Sequence, residues 1–164
     1  MDRSNYTTMY LPALRLENHQ LSGSKLKTPA ELVAWTGAVQ AQDFGMAKWA
    51  VGIRLPDCTD TDVEEAFNRG DILRTHVMRP TWHFVTPENI RWMLALSADK
   101  IKAAARSRDR ELGISETLFC RNNRFIEKAL EGNNHLTREE LGNVLAEANI
   151  GMNTARLTHF MMRA

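Results

Sequence analysis

Residues 72–86 read ILRTHVMRPTWHFVT. Ile, Val, Thr, Trp and Phe crowd this run, the side chains that suit a pleated and half-buried surface, and Arg79 with Pro80 interrupts it. Pro80 has no N–H to give to a ladder, so it belongs in a turn or at an edge. The pattern predicts two short antiparallel strands joined across residues 78–81. Alternation places Arg74, His76 and Met78 on one face of the first strand, and Thr81 and His83 on one face of the second. Two readings stand. The run is a basic hairpin, carried by Arg74, His76, Arg79 and His83, whose tip meets a phosphate backbone or pairs with the amides of Gln40 and Gln42. Otherwise it is a half-buried strand pair with Trp82 and Phe84 packed into a core.

The chain upstream of the hairpin is helical. Thr28, Pro29 and Glu31 form an N-terminal signal, with Thr as cap, Pro in the first turn and Glu closing a capping box, and they open a helix over residues 29–39. Residues 44–53 read as a second helix. After the loop LPDCTDT, Thr61 with Glu64 opens a third, which ends near Asn68 and is stopped by Gly70. Ahead of these lies a short helix ending near Gln20, with Pro12 expected in its first turn, and then the linker SGSKLK. Three helices followed by a two-stranded hairpin is the order of a winged helix, the hairpin being the wing.

The chain downstream of the hairpin is helical too. Thr86, Pro87 and Asn89 open a long helix that continues through ADKIKAAARSRDREL. Ser115 with Glu116 begins another, reaching Leu130. Thr137 and Glu140 form a further capping box for a helix to about Ala148. Residues 149–152 turn the chain and Asn153 caps the last helix, TARLTHFMMRA. The last two helices around a Gly-containing turn have the helix-turn-helix order. The expected fold is mainly α with a short antiparallel β-hairpin, a tandem winged-helix architecture. Residues 1–114 form its first unit, and 115–164 open a second that stops before its wing.

Inside the first unit, residues 37–55 read GAVQAQDFGMAKWAVGIRL. Gln40, Gln42 and Asp43 break an otherwise apolar segment, and a buried amide left without a partner costs on the order of 1 to 3 kcal/mol. On a helix, positions two apart lie about 200° apart around the axis, whereas in an extended segment they share a side. If both carboxamides serve one site, the entering helix ends near Val39 and leaves them side by side. The alternative is that they cap a helix end or sit in solvent.

Composition narrows the class. With 164 residues, 43% hydrophobic and 25% charged, the chain is of the ordinary globular kind. It has no apolar run of membrane-spanning length and no secretory signal pattern, so a cytoplasmic location is expected. Cys58 and Cys120 lie far apart without CxxC or His-rich spacing, and neither a metal site nor a cofactor loop is indicated. The net charge is +1, yet residues 55–71 carry six acids against one base, and residues 72–110 carry eight bases against three acids. Such a basic stretch attracts phosphates or forms a solvated helix face. The acids Asp62, Glu64 and Glu65 argue against docking the third helix on DNA. On the last helix, Arg156, His159 and Arg163 recur at helical spacing, a face suited to a major groove.

Together, VQAQDFGMAKWAVGIRL and LRTHVMRPTWHFVTPENIRWML resemble the bacterial winged-helix DNA-binding family that includes the AlkZ-type DNA glycosylases, which unhook interstrand crosslinks. HLTREELGNVLAEANIGMNTARLTHFMMRA resembles the opening of that family's second winged helix. A Gln, apolar, Gln motif carries catalysis in the family, and Gln40, Ala41 and Gln42 match it. The resemblance implies a monofunctional glycosylase acting on double-stranded DNA. It would hydrolyse the N-glycosidic bond of alkylated or crosslinked purines with water held by Gln40 and Gln42, Asp43 supporting, and would need neither cofactor nor metal. Family members are longer and stack further units, so the sequence reads as an N-terminal fragment. The competing readings are a non-enzymatic DNA-binding protein or regulator, with Arg156 and His159 on its recognition helix, and a protein that keeps the fold but binds only partner proteins.

Overall fold

The computed structural model describes residues 3–78, 81–132, 134–148, 151 and 153–163, with side chains from residue 10 on. In chain order the elements are α1 Arg3–Asn18, α2 Pro29–Thr36, β1 Val39–Gln40, α3 Phe44–Gly52 and α4 Asp60–Asn68. They continue with β2 Leu73–His76, β3 Trp82–Val85, α5 Pro87–Glu111, α6 Glu116–Ala129, α7 Arg138–Glu147 and α8 Thr154–Arg163. The described residues thus form a mainly helical chain with one small antiparallel sheet, ordered β1-β3-β2.

Local capping sets many of these ends. Thr28 Oγ1 accepts from the Glu31 N–H, and the Glu31 carboxylate accepts from the Thr28 N–H, which closes the expected box. Thr137 with Glu140 does the same at α7, Ser115 caps α6, and Asn153 Oδ1 accepts from the Arg156 N–H at α8. At Glu140 these bonds from Thr137 hold the carboxyl below its ordinary pKa. The expected cap at Thr61 is corrected to Thr59, whose partner is Asp62. Two overlapping boxes compete there. The earlier start buries Val63 and Ala66 and leaves Glu64 free to reach Lys48. Pro12 lies inside α1, not in its first turn, because helical residues precede it back to Arg3. A proline there removes one ladder bond, and the rest of the ladder carries the helix across it.

The chain divides into two compact units, residues 1–98 and 99–164, so the division falls within α5. The sequence-based border at 114/115 puts all of α5 in the first unit.

In the first unit the sheet has a core on each face. Leu73 pairs with Val85, Arg74 with Phe84, Thr75 with His83 and His76 with Trp82, which confirms the predicted hairpin. Phe84 therefore points to one side, where it joins Leu32, Val33, Val51 and Val63 from α2–α4, edge-on to Phe44 at 5.7 Å between ring centres. Val85 points to the other, with Val77 and with Met93 from α5. Lys48 ties α3 to α4. Its ammonium donates to Asp60 at 2.7 Å and Glu64 at 2.6 Å, and these bonds, Asp60 first, raise its pKa.

In the second unit, Ile114, Phe119, Ile126, Leu141, Leu145, Leu157 and Phe160 form the core, with Phe119 and Phe160 edge-on at 5.2 Å. No helix among the described residues is long and apolar enough to cross a membrane.

Candidate active site

The geometry at the two glutamines begins with a glycine. Helix α2 was expected to run to Val39 but ends at Thr36, because Gly37 takes φ 76, a left-handed backbone that an L side chain resists. The chain leaves extended, and Val39 and Gln40 pair with Phe84 and His83 as a third strand that the sequence reading lacked. The ladder continues one bond further, from the Ala41 N–H to the Trp82 carbonyl at 2.8 Å. Gln40, Ala41 and Gln42 are exposed, buried and exposed in turn. Ala41 drops into the α2–α4 core, and Gln40 and Gln42 on either side of it are exposed. Gln40 ends the strand, and Gln42 lies in the bend that follows it.

The two amides are held differently. Gln42 Oε1 accepts from the Trp82 N–H at 3.3 Å. Gln40 has no side-chain hydrogen bond among the described residues. Asp43 Oδ1 accepts from the Met46 N–H at 2.9 Å and so caps α3, a role that its position three residues before Met46 could have signalled. On the Phe84 face of the sheet, the Arg74 guanidinium lies 4.7 Å over the Trp82 ring, and His76 stacks on that ring at 3.9 Å. Burial, then the charges of Arg74 and His83, push the His76 imidazole below its ordinary pKa.

The other candidates fall elsewhere. His83 is only 4% exposed, on the face opposite Arg74 and His76, with its Nδ1 2.9 Å from the Thr81 carbonyl, which fits a packed strand histidine. Arg79 lies outside the described residues. The face of α8 holds its predicted spacing but turns inward: His159 Nδ1 and Arg163 Nη1 both reach Asp109 of α5, at 2.8 and 3.0 Å. Arg163 also lies 3.6 Å over the Phe119 ring, and Arg156 donates to the Gly151 carbonyl. Among the described residues no group of three or more His, Cys, Asp or Glu could hold a metal ion.

The family model "DNA glycosylase AlkZ-like" matches residues 33–164. The fold is similar to the solved structure of Streptomyces sahachiroi DNA glycosylase AlkZ, with a TM-score of 0.74 at 20% identity. That match covers 91% of this chain and 42% of the Streptomyces chain, so this chain spans less than half of that protein's length. No curated protein matches the sequence. The matched range takes in every candidate residue from Gln40 to Arg163, and the chain belongs to the AlkZ-like DNA glycosylase family.

Proposed function

We propose that this chain carries the base-excision site of a monofunctional DNA glycosylase. It hydrolyses the N-glycosidic bond of alkylated or crosslinked purines in double-stranded DNA with a water held by Gln40 and Gln42. One observation carries the reading: two exposed carboxamides stand on either side of the buried Ala41, whose N–H is held by the Trp82 carbonyl of β3.

The chemistry suits such groups. A carboxamide is no general base, but its carbonyl accepts a hydrogen from water, and its dipole steadies positive charge on a sugar. An N-alkylated purine already carries positive charge, so the bond to the sugar breaks without an acid. The remaining task is to place water against the cationic sugar. Gln40, with no protein partner among the described residues, is the freer of the two to hold that water. Gln42 shares its Oε1 with the Trp82 N–H and keeps the second lone pair.

In the same reading α2–α4 with the β2–β3 hairpin form one winged helix, and α6–α8 open a second. The regulator reading asks for an exposed basic recognition helix, and the inward turn of His159 and Arg163 removes support from it.

The test is release of N7-alkylated guanine from a methylated duplex. Gln40→Ala with Gln42→Ala is expected to lower the rate by at least roughly 10²- to 10³-fold, the scale for loss of one positioned polar group at a transition state. Undiminished release by that double variant would overturn the assignment.

A further inference from the structure

We infer that Arg74 is a positioning residue of the glutamine site and not a contact to the DNA backbone, a role that rests on Gln40 and Gln42 as the water-holding pair. The backbone between β1 and α3 has a gap to bridge. The last ladder bond is that of the Ala41 N–H, and α3 starts at Phe44. The carbonyls of Ala41 and Gln42 fall between these, beyond the ladder. Arg74 closes the gap: its Nε donates to the Ala41 carbonyl at 2.9 Å and its Nη2 to the Gln42 carbonyl at 3.2 Å. The planar fork of a guanidinium matches two neighbouring acceptors, which the single ammonium of a lysine does not.

The clamp is itself held. The guanidinium lies over Trp82 at 4.7 Å and faces Phe44 at 5.8 Å, and Trp82 is the residue whose N–H holds Gln42 Oε1. Arg74 and Trp82 therefore grip Gln42 at main chain and side chain together. With one edge on two carbonyls and one face on a ring, the guanidinium is committed to the protein. It acts on the reaction through the placement of Gln42.

The experiment has a kinetic arm and an activity-free arm. In the first, single-turnover release from a methylated duplex is measured for wild type, Arg74→Gln, Arg74→Lys, Gln42→Ala and the Gln42→Ala/Arg74→Gln pair, alongside affinity for duplex DNA over a range of salt. Both Arg74 variants should lose on the order of 10²-fold in rate, the scale of a misplaced group. Affinity and its salt slope should be unchanged, and the pair should be no slower than Gln42→Ala alone, because Arg74 acts through that residue. A salt slope reduced by about one in Arg74→Gln with near-normal Arg74→Lys would make Arg74 a phosphate contact and overturn the inference. So would losses that multiply in the pair.

The second arm monitors amide hydrogen exchange. Arg74→Gln should speed exchange of the Ala41 and Trp82 N–H groups while α2–α4 keep their protection. Unchanged exchange at those two amides would overturn the positioning role even if no version released base. Silence of the wild type, by contrast, would count against the glutamine site.

Discussion

At Asp43 two demands meet on one carboxylate. Beside the glutamines it is a candidate base, yet its Oδ1 accepts from the Met46 N–H at 2.9 Å as the cap of α3. Asparagine caps as well as aspartate, whereas alanine does not. Asp43→Asn is therefore expected to keep both melting temperature and release rate, and Asp43→Ala to lose about 1 kcal/mol of stability in denaturant titration. A slow Asp43→Asn of normal stability would return the carboxylate to the chemistry. His76 offers a pH test. Its pKa is lowered in the folded chain, first by burial and then by Arg74 and His83, so the unfolded chain binds the proton more readily. Stability is then full above about pH 6.5 and falls as pH drops through that window toward the folded value. Melting curves from about pH 7 to about pH 5 should show a smaller drop for His76→Gln than for wild type; equal drops would mean that His76 is not the group responsible. At this scale the sequence marked Gln40 and Gln42, but not Arg74 as their clamp, because its acceptors lie 33 and 32 residues earlier in the chain.

Elements were legible where their signals are local. The boxes at Thr28 and Thr137 and the caps at Ser115 and Asn153 lie within three residues of what they bond. Strand β1 was not legible, since two residues show no period and its partners on β3 are over forty positions away. Gly37, the C-cap of α2, is the one local signal of the chain's turn into it. Phe84 links these strands to the helices: it pairs with Val39 and Arg74 and is fully buried against Phe44 and Phe67. Phe84→Ala should cost about 3 to 5 kcal/mol by chemical denaturation. It should also loosen β1, so release activity should fall at temperatures where the variant is still folded. Loss of stability alone, with full activity in the folded fraction, would separate the sheet core from the site.

Across the whole molecule, the opposite charges of residues 55–71 and 72–110 meet different fates. Most of the acids are used internally: Asp60 and Glu64 hold Lys48, Asp62 closes the Thr59 cap, and Glu65 and Asp71 pair with Arg69. The bases on α5 are left outward. Met93, Ser97, Ile101, Ala105 and Asp109 form its buried stripe, four residues apart, and Lys102, Arg106 and Arg110 recur beside it, exposed and without an ion pair among the described residues. If a phosphate backbone lies against this chain, this row offers it exposed, unpaired cations that the inward-turned α8 face does not. Each phosphate neutralised contributes about 0.9 to the slope of log affinity against log salt. Lys102→Ser/Arg106→Ser/Arg110→Ser should therefore flatten that slope by roughly two to three while leaving the melting temperature nearly unchanged, since exposed substitutions cost little. Substituting His159 and Arg163 should do the reverse, because both groups hold Asp109 inside the second unit. An unchanged slope in the α5 variant would mean that DNA does not lie along this row.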